Sequence, residues 1–290
     1  MYTGENARFV RMWHEVEARC SSFSQPQRPK WFPYANGGGY RKWFGCVEDV
    51  VNWRDNGEEL RSFKNKDGSP KAGAFNLDYI FREGVFWTAI SNYNFCARIL
   101  PENHLFSSAA NAMFGNSLNA NLLLGILNSN VSTLCLKAIN PTLNYNAGDI
   151  EKVALPNLSE EIQHEVCCVV KEALRIARAD WDNFETSWSF LDHPLLRPEL
   201  KDCTLEKSWR NWETQCTAAI RRMQELETEN NRLFIAAYSL DGELQSEVPE
   251  EQITPGLPQS YSGPAFGDLN PSQRKHSGDV VGQLPQASSN

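Results

Sequence analysis

The sequence predicts an α+β protein: a region containing a mixed sheet, then a long antiparallel helical hairpin, then a disordered tail. Residues 1–157 contain short runs of β-branched and aromatic residues separated by Asn and Gly turns, which are typical of strands. In residues 158–240 the apolar residues recur at steps of three and four, the period of an amphipathic helix. Residues 241–290 are rich in Pro, Gly, Ser and Gln without periodicity, which predicts a flexible tail.

The first region contains two predicted strands and one predicted helix. Residues 44–53 and 84–90 are the extended runs, and the second of these is bounded by Gly84 and by Ser91. A broad apolar face over residues 118–139 predicts a single helix. The dipeptide Asn140-Pro141 ends it, because the residue before a proline disfavours the helical conformation.

The second region predicts two helices of about 30 residues each, joined by a Pro-rich turn. Ser159 is the predicted N-cap of the first helix, whose apolar stripe continues to residue 188. His193-Pro194 and the following Arg-Pro pair break the pattern, and Thr204 caps the second helix. Neither helix can bury its stripe alone, so the pair is expected to fold back as an antiparallel hairpin.

Composition excludes several classes of protein. The 290 residues are 41% hydrophobic and 22% charged, as in a soluble globular chain. No apolar run approaches the roughly 20 residues that a membrane span needs, and the first residues do not resemble a signal peptide. The eight cysteines form no Cys-x-x-Cys pair, which disfavours a zinc finger. We therefore expect a cytoplasmic protein with reduced thiols and no membrane partner.

Motifs for catalysis are missing from this sequence. It contains no P-loop, no Gly-x-Ser-x-Gly elbow and no Rossmann glycine spacing, and its five histidines are dispersed. Asn140-Pro141-Thr142-Leu143 begins like the Asn-Pro-Pro-Tyr/Phe motif of amino-methyltransferases, but the second proline and the aromatic residue are absent. We interpret it as a helix stop and a turn. The sequence thus predicts no catalytic, cofactor-binding or metal-binding residue.

Charge divides the chain into two unequal halves. Residues 1–150 carry a net charge of +2 and residues 151–290 a net charge of −10, which together give −8. A net acidic chain is a poor default binder of nucleic acid. Residues 27–42, however, hold four cations and no acid, so an anionic partner would bind there first, unless the stretch is simply a solvated loop.

Cations alternate with aromatic residues around a glycine hinge in residues 30–45. This pattern suits a nucleic-acid contact, with Lys and Arg at phosphates or guanine edges, rings that stack and Asn at adenine. It equally suits a packed β-hairpin with exposed lysines, and the residues leave both open. The candidate DNA-binding residues are Lys30, Tyr34, Asn36, Tyr40, Arg41, Lys42 and Trp43, with Arg98 and Asn144 as further candidates.

Several ordered motifs extend this pattern along the chain. They include Lys-Trp-Phe-Pro-Tyr at 30–34, Arg-Lys-Trp-Phe-Gly at 41–45, Val-Val-Asn-Trp-Arg-Asp-Asn-Gly at 50–57, Leu-Gly-Ile-Leu-Asn-Ser at 124–129 and His-Pro-Leu-Leu at 193–196. Over residues 3–253 the chain resembles the target-recognition and helical region of the BREX-system adenine-specific DNA methyltransferases (PglX family). That family is related to the type IIG restriction-methyltransferases.

The resemblance implies a domain organisation and a function. Residues 1–25 would be an N-terminal connecting segment, 26–157 a DNA target-recognition domain, 158–240 the helical hairpin and 241–290 the flexible tail. Double-stranded DNA would be the partner, with a catalytic methyltransferase half or other defence-system proteins. In the family the S-adenosylmethionine and Asn-Pro-Pro-Tyr motifs precede the segment that Thr3-Gly4-Glu5-Asn6 resembles. We therefore expect no cofactor in this chain and no activity from it alone.

The origin of the chain and its function both leave alternatives open at this point. The chain could be a gene fragment, a split subunit or a frame-shifted product. It could also be an interaction module without DNA affinity, in which the acidic half and the Trp-rich helices dock a partner of a defence complex. An independent methyltransferase is the weakest alternative, because the cofactor motifs are absent.

Overall fold

Two sheets and a set of helices make up the computed structural model of the protein, which describes residues 1–22, 28–91, 94–115 and 119–254. The strands are β1 (Val10–Met12), β2 (Trp31–Ala35), β3 (Asp49–Asn52), β4 (Gly84–Thr88), β5 (Ala97–Leu100), β6 (Leu105–Phe106) and β7 (Ala110–Met113). The helices are α1 (Asn6–Phe9), α2 (Arg54–Arg61), α3 (Ala120–Leu127), α4 (Asn130–Ile139), α5 (Ala147–Ile150), α6 (Glu160–Trp181) and α7 (Leu205–Ala237). The α+β prediction is confirmed.

The first sheet has the strand order β1-β3-β2-β6 and the second the order β5-β4-β7. In the first sheet only β6 runs parallel to its neighbour, with Tyr34 opposite Leu105. The N-terminal segment is part of this sheet, because Arg11 of β1 pairs with Val50 of β3. Residues 10–12 of the predicted connecting segment, residues 1–25, thus form strand β1 of the first sheet.

The strand prediction for residues 84–90 is confirmed by β4, whereas the prediction for 44–53 is right only at its end. Residues 43–46 turn sharply, since Trp43, Gly45 and Cys46 all have positive φ values of 71°, 122° and 57°. Such values belong to turns and are incompatible with a strand, so pairing starts only at Asp49.

The single helix predicted over residues 118–139 is wrong, because α3 and α4 are bent by 67° at Asn128 and Ser129. The Asn128 side chain accepts from the Ala97 amide at 2.9 Å and donates to the Ala97 carbonyl at 3.0 Å. Ser129 then caps α4 by accepting from the Ser132 amide. The Asn128 side chain thus bonds to the backbone of β5, and the Ser129 side chain starts a new helix. Together they end α3 and set the direction of α4. Residue 118 lies outside the described residues.

The helical hairpin is confirmed. Ser159 and Thr204 cap α6 and α7 with their side chains, as predicted, although α6 ends at Trp181 instead of residue 188. The two helices are antiparallel, since Arg222 of α7 pairs with Glu172 at 2.8 Å and Arg232, nearly three turns later, approaches Glu165, which precedes Glu172 in α6, at 3.9 Å.

One hydrophobic core joins the hairpin to the second sheet. It contains Trp87 of β4, Leu124 of α3, Val166 of α6 and Phe234 of α7, all buried. The proposed boundary between residues 157 and 158 thus runs through a shared core within the compact unit 1–255.

Residues 241–254 pack back against the hairpin. Asn231 donates to the Ser246 carbonyl at 3.0 Å, Gln224 donates to the Val248 carbonyl at 2.7 Å, and Val248 and Ile253 are buried. The tail prediction is therefore wrong for these residues, and its remainder, residues 255–290, lies outside the described residues.

In the described ranges no single helix is long and apolar enough to cross a membrane. Helices α3 and α4 reach that length and composition only when they are counted together across their 67° bend.

Helix α3 crosses the hairpin at Gly125, where the packing leaves no room for a side chain. An added Cβ would lie 2.9 Å from Val166 Cγ1 and 3.0 Å from Asn230 Oδ1. We predict that Gly125→Val lowers the free energy of unfolding by about 1–3 kcal/mol or more, because overpacking forces the helices apart. Gly148→Val is the control, since nothing lies within 4 Å of its added Cβ. Urea unfolding checks both, and equal effects would contradict the tight crossing.

A buried histidine makes the fold sensitive to acid. His104 stacks on Trp188 with ring centroids 5.4 Å apart, and burial lowers the pKa of His104 to about 4. The folded state therefore binds fewer protons than the unfolded state between pH 4 and 6.5, and stability is lost as the pH falls through this window.

We predict that this histidine alone removes about 2 kcal/mol of stability between pH 7 and pH 5. Urea unfolding at both values should show a smaller loss for His104→Gln than for the wild type. The same substitution at the exposed His164 is the control for the exchange of a histidine for glutamine. An identical pH dependence in His104→Gln and wild type would refute the assignment.

Candidate nucleic-acid interface

The predicted contact residues fall into two groups by exposure. Side chains in the first group are enclosed: Tyr34, Arg41, Lys42, Trp43 and Arg98 are all less than 8% exposed. The second group remains accessible to solvent, fully or in part: Lys30, Asn36, Tyr40 and Asn144.

Arg41 is fixed against the C-terminal end of α6. Its Nη2 donates to Asp180 Oδ2 at 2.7 Å and to the Ala177 carbonyl at 3.0 Å. Its Nε donates to the Phe44 carbonyl at 2.7 Å, and the guanidinium carbon lies 5.1 Å from the centroid of the Trp181 ring. The guanidinium thus makes edge contacts through Nε and Nη2 and a face contact with Trp181, all inside the protein.

Glu227 of α7 receives the next two residues of the segment. Lys42 Nζ lies 2.6 Å from Glu227 Oε2, and Trp43 Nε1 donates to Oε1 at 2.8 Å. Burial on its own would lower the pKa of Lys42, but the attraction of the Glu227 carboxylate raises it above its ordinary value. Lys42 is therefore charged, paired and inaccessible at neutral pH.

Arg98 holds the glycine turn from inside. Its Nη1 donates to the Gly39 carbonyl at 2.9 Å and its Nη2 donates to Thr88 Oγ1 at 2.7 Å. Thr88 in turn donates to the Gly38 carbonyl at 2.9 Å. Gly38 has φ 151°, and a Cβ there would lie 2.5 Å from Cys46 Cβ, so only glycine allows this close approach.

Tyr34 points into the core of the first sheet, and burial raises the pKa of its hydroxyl. All five enclosed side chains are thus used in packing or pairing, and the structure favours a supporting role for them. For Lys30, Asn36, Tyr40 and Asn144, which solvent reaches, DNA contact stays a prediction. Asn36 donates to Asp49 at 3.0 Å and is half-buried. Tyr40 is half-buried as well, and burial raises its pKa.

A cation–indole surface, formed by Arg11, Lys30 and Trp31, lies on the first sheet. Lys30 Nζ is 4.9 Å and the Arg11 guanidinium carbon 5.9 Å from the centroid of the Trp31 ring. Among the described residues no carboxylate forms an ion pair with either cation. Sequence analysis missed Arg11, because only the sheet order β1-β3-β2 brings its side chain to Trp31, across the intervening strand β3.

Asn144 lies elsewhere, opposite Ile90 just beyond β4, and is exposed. The neighbouring Asn140 ends α4, as predicted, and its side chain donates to the Asn144 carbonyl and to Asp149. It borders a cleft of about 410 Å³ with Phe95, Lys137 and Tyr145 among its walls. The described residues contain no group of three or more potential metal ligands, and the eight cysteines are free thiols.

The buried pair of Lys42 and Glu227 yields a stability prediction. We expect Glu227→Gln to lower the free energy of unfolding by about 3–5 kcal/mol, because it leaves the Lys42 charge buried without a partner. Glu229→Gln, on the same helix, removes an exposed ion pair with Arg232 and should cost at most about 1 kcal/mol. Urea unfolding distinguishes them, and a small loss for both would show that Lys42 escapes to solvent.

Comparison with known proteins relates the chain to two methyltransferases, although no protein-family model matches it. It is 34% identical over 264 residues to the adenine-specific methyltransferase PglX of Lacticaseibacillus casei strain Zhang. It is 36% identical over 193 residues to the adenine-specific methyltransferase BrxX of Escherichia coli O9:H4 strain HS. These alignments cover 88% and 65% of this chain, but only 22% and 15% of the two relatives. The chain is thus a relative of the PglX and BrxX adenine-specific methyltransferases and corresponds to a segment of each.

Proposed function

We propose that this chain is the DNA target-recognition part of a site-specific adenine (N6) DNA methyltransferase of a BREX-type phage-defence system. The cation–indole surface is the observation that carries the proposal, and the similarity to PglX and BrxX supports the methyltransferase context. Double-stranded DNA is the proposed ligand. The catalytic step is assigned to another part of the enzyme, and no residue described above is given a catalytic role.

The chemistry of this surface suits a duplex backbone. Two cations share one half-buried indole and have no ion-pair partner among the described residues, so their charge is available to phosphates. Phosphate contacts release counterions, and this release supplies much of the affinity of a protein for DNA. The surface is locally basic although the chain as a whole carries a charge of −8. Its affinity should therefore fall steeply with salt.

S-adenosylmethionine binds the catalytic part of the methyltransferase, and no residue of this chain is assigned to it. The catalytic half or other defence-system proteins are the protein partners. The duplex is recognised in the cytoplasm, where such a system meets invading DNA.

A second function, docking of a partner protein without DNA affinity, is favoured by one feature of the hairpin turn. Leu191, Leu196 and Leu205 are 91%, 65% and 72% exposed, and they lie on or beside the connection between α6 and α7. Exposed apolar groups of this kind are common at protein contacts. Under this alternative the chain would not bind DNA.

We predict that the double substitution Arg11→Ala and Lys30→Ala weakens binding to a mixed-sequence duplex. The slope of log affinity against log salt should become shallower by about 0.9 for each phosphate contact that is removed. Fluorescence anisotropy of the purified chain over a salt series measures both effects. The double substitution Lys201→Ala and Arg221→Ala is the matched control, since it removes the same number of positive charges at two exposed positions.

Two results would contradict the proposal. One is the absence of wild-type binding at low salt, from a chain that circular dichroism shows to be folded; docking would then be the better supported function. The other is an equal loss of affinity in both double variants, which would mean that total charge, and not this surface, determines binding.

A further inference from the structure

Arg54, Asp55, Asn56 and Gly57 open α2, one residue after the end of β3, as a left-handed turn and not as a right-handed helical turn. Asp55, Asn56 and Gly57 have φ values of 49°, 57° and 72°. Left-handed residues normally occur singly, because the Cβ of an L-residue approaches the next carbonyl oxygen. Asn, Asp and Gly are the residues that tolerate this conformation, so the local sequence is suited to the turn. A run of three makes an unusual and specific backbone feature.

The base of this turn is anchored in the core. Trp53 is 2% exposed, and its amide donates to the Lys30 carbonyl at 2.9 Å. Gly57 packs on the Trp53 ring so closely that an added Cβ would lie 2.5 Å from it. Arg61 donates to the Asn56 carbonyl at 3.5 Å. The backbone of the turn is therefore held at both ends, which presents its side chains in a defined position.

The side chains at the tip, in contrast, are unused within the protein. Arg54, Asp55 and Asn56 are all exposed. Neither the Arg54 guanidinium nor the Asn56 amide forms a side-chain hydrogen bond or ion pair with the described part of the chain. Polar groups that are held in place but have no internal partner are available to a ligand.

Strand pairing puts this tip beside the cation–indole surface. Asn52, two residues before Arg54, lies opposite Trp31, and the Trp53 amide binds the Lys30 carbonyl. We infer that the turn reads base edges in the major groove, with Arg54 and Asn56 as specificity-determining residues. Arg54 presents the fork of donors that matches guanine O6 and N7, and Asn56 the amide that matches adenine N6 and N7. This inference rests on the proposed function.

Charge distinguishes base edges from phosphates as the target of the tip. Asp55 lies between Arg54 and Asn56, and its exposed carboxylate would be repelled by a phosphate strand. A base edge tolerates it, because the amino group of cytosine is a donor. Arg11 and Lys30, which form no ion pair among the described residues although Glu59 lies near enough to Lys30 to attract it, suit the phosphates. The cation–indole surface would thus contact the DNA backbone, and the neighbouring tip of the turn would contact the bases.

Selection of bound duplexes from a pool with a randomised core tests this inference. The full chain is compared with Arg54→Lys, which keeps the charge but loses the bidentate fork. It is also compared with Asn56→Gly, which keeps a residue that tolerates positive φ but loses the amide. Arg221→Lys, on the exposed side of α7, is the matched control. Anisotropy on a mixed-sequence duplex measures non-sequence-specific affinity in parallel.

Wild type and Arg221→Lys are expected to enrich the same sequence. Arg54→Lys and Asn56→Gly are expected to lose about tenfold discrimination at one base pair each, while their affinity for the mixed duplex stays within about twofold. If both variants enrich the wild-type sequence unchanged, the inference fails and the proposed function stands. If the wild type binds no duplex at any salt concentration, both fail. If Arg54→Lys retains discrimination while Arg54→Ala loses affinity for every duplex equally, Arg54 is a phosphate contact and the inference fails.

Discussion

The carboxylate of Glu227 fixes the position of residues 41–43, which belong to the segment where cations alternate with aromatic residues. It receives the Lys42 ammonium and the Trp43 indole on its two oxygens, while Arg41 binds Asp180 at the end of α6. Three consecutive residues are thereby tied to both helices of the hairpin. A buried ion pair contributes little net stability, but breaking one leaves an uncompensated charge, so it penalises other arrangements strongly. The position of the glycine turn, and with it of Asn36 and Tyr40, depends on these contacts.

Local rules predicted much of the fold. Ser159 and Thr204 cap their helices because a hydroxyl that precedes an apolar stripe satisfies a free amide, whatever the rest of the chain does. Strand β4 follows in the same way from a β-branched and aromatic run between turn residues. The break at Asn128 could not be predicted like this, because its partner is the backbone of Ala97 on a strand, and an uninterrupted apolar pattern continues past it.

The candidate site was predictable only in part, for the same physical reason. Arg41 and Lys42 find their carboxylates 139 and 185 residues further along the chain. Alternating cations and aromatics look alike in sequence whether the cations meet phosphates or buried carboxylates. Lys30 was predicted and is accessible, whereas Arg11 reaches the same indole through strand pairing, which a one-dimensional pattern does not contain. Position in the fold, and not residue type, separates the buried cations Arg41 and Lys42 from the accessible Arg11 and Lys30.

The hydrophobic core that α3 shares with the hairpin also limits how such a protein can change. Leu124 packs in the same cluster as Val166 and Phe234, so neither the sheet region nor the hairpin can be exchanged for a foreign counterpart without exposing apolar surface on the other. We therefore expect the two regions to unfold together, as one cooperative unit. Under the proposed function, new DNA specificities would arise by substitutions on the outer face, such as the tip after β3 and the surface around Trp31. The interior is free to stay constant while the exposed residues diversify.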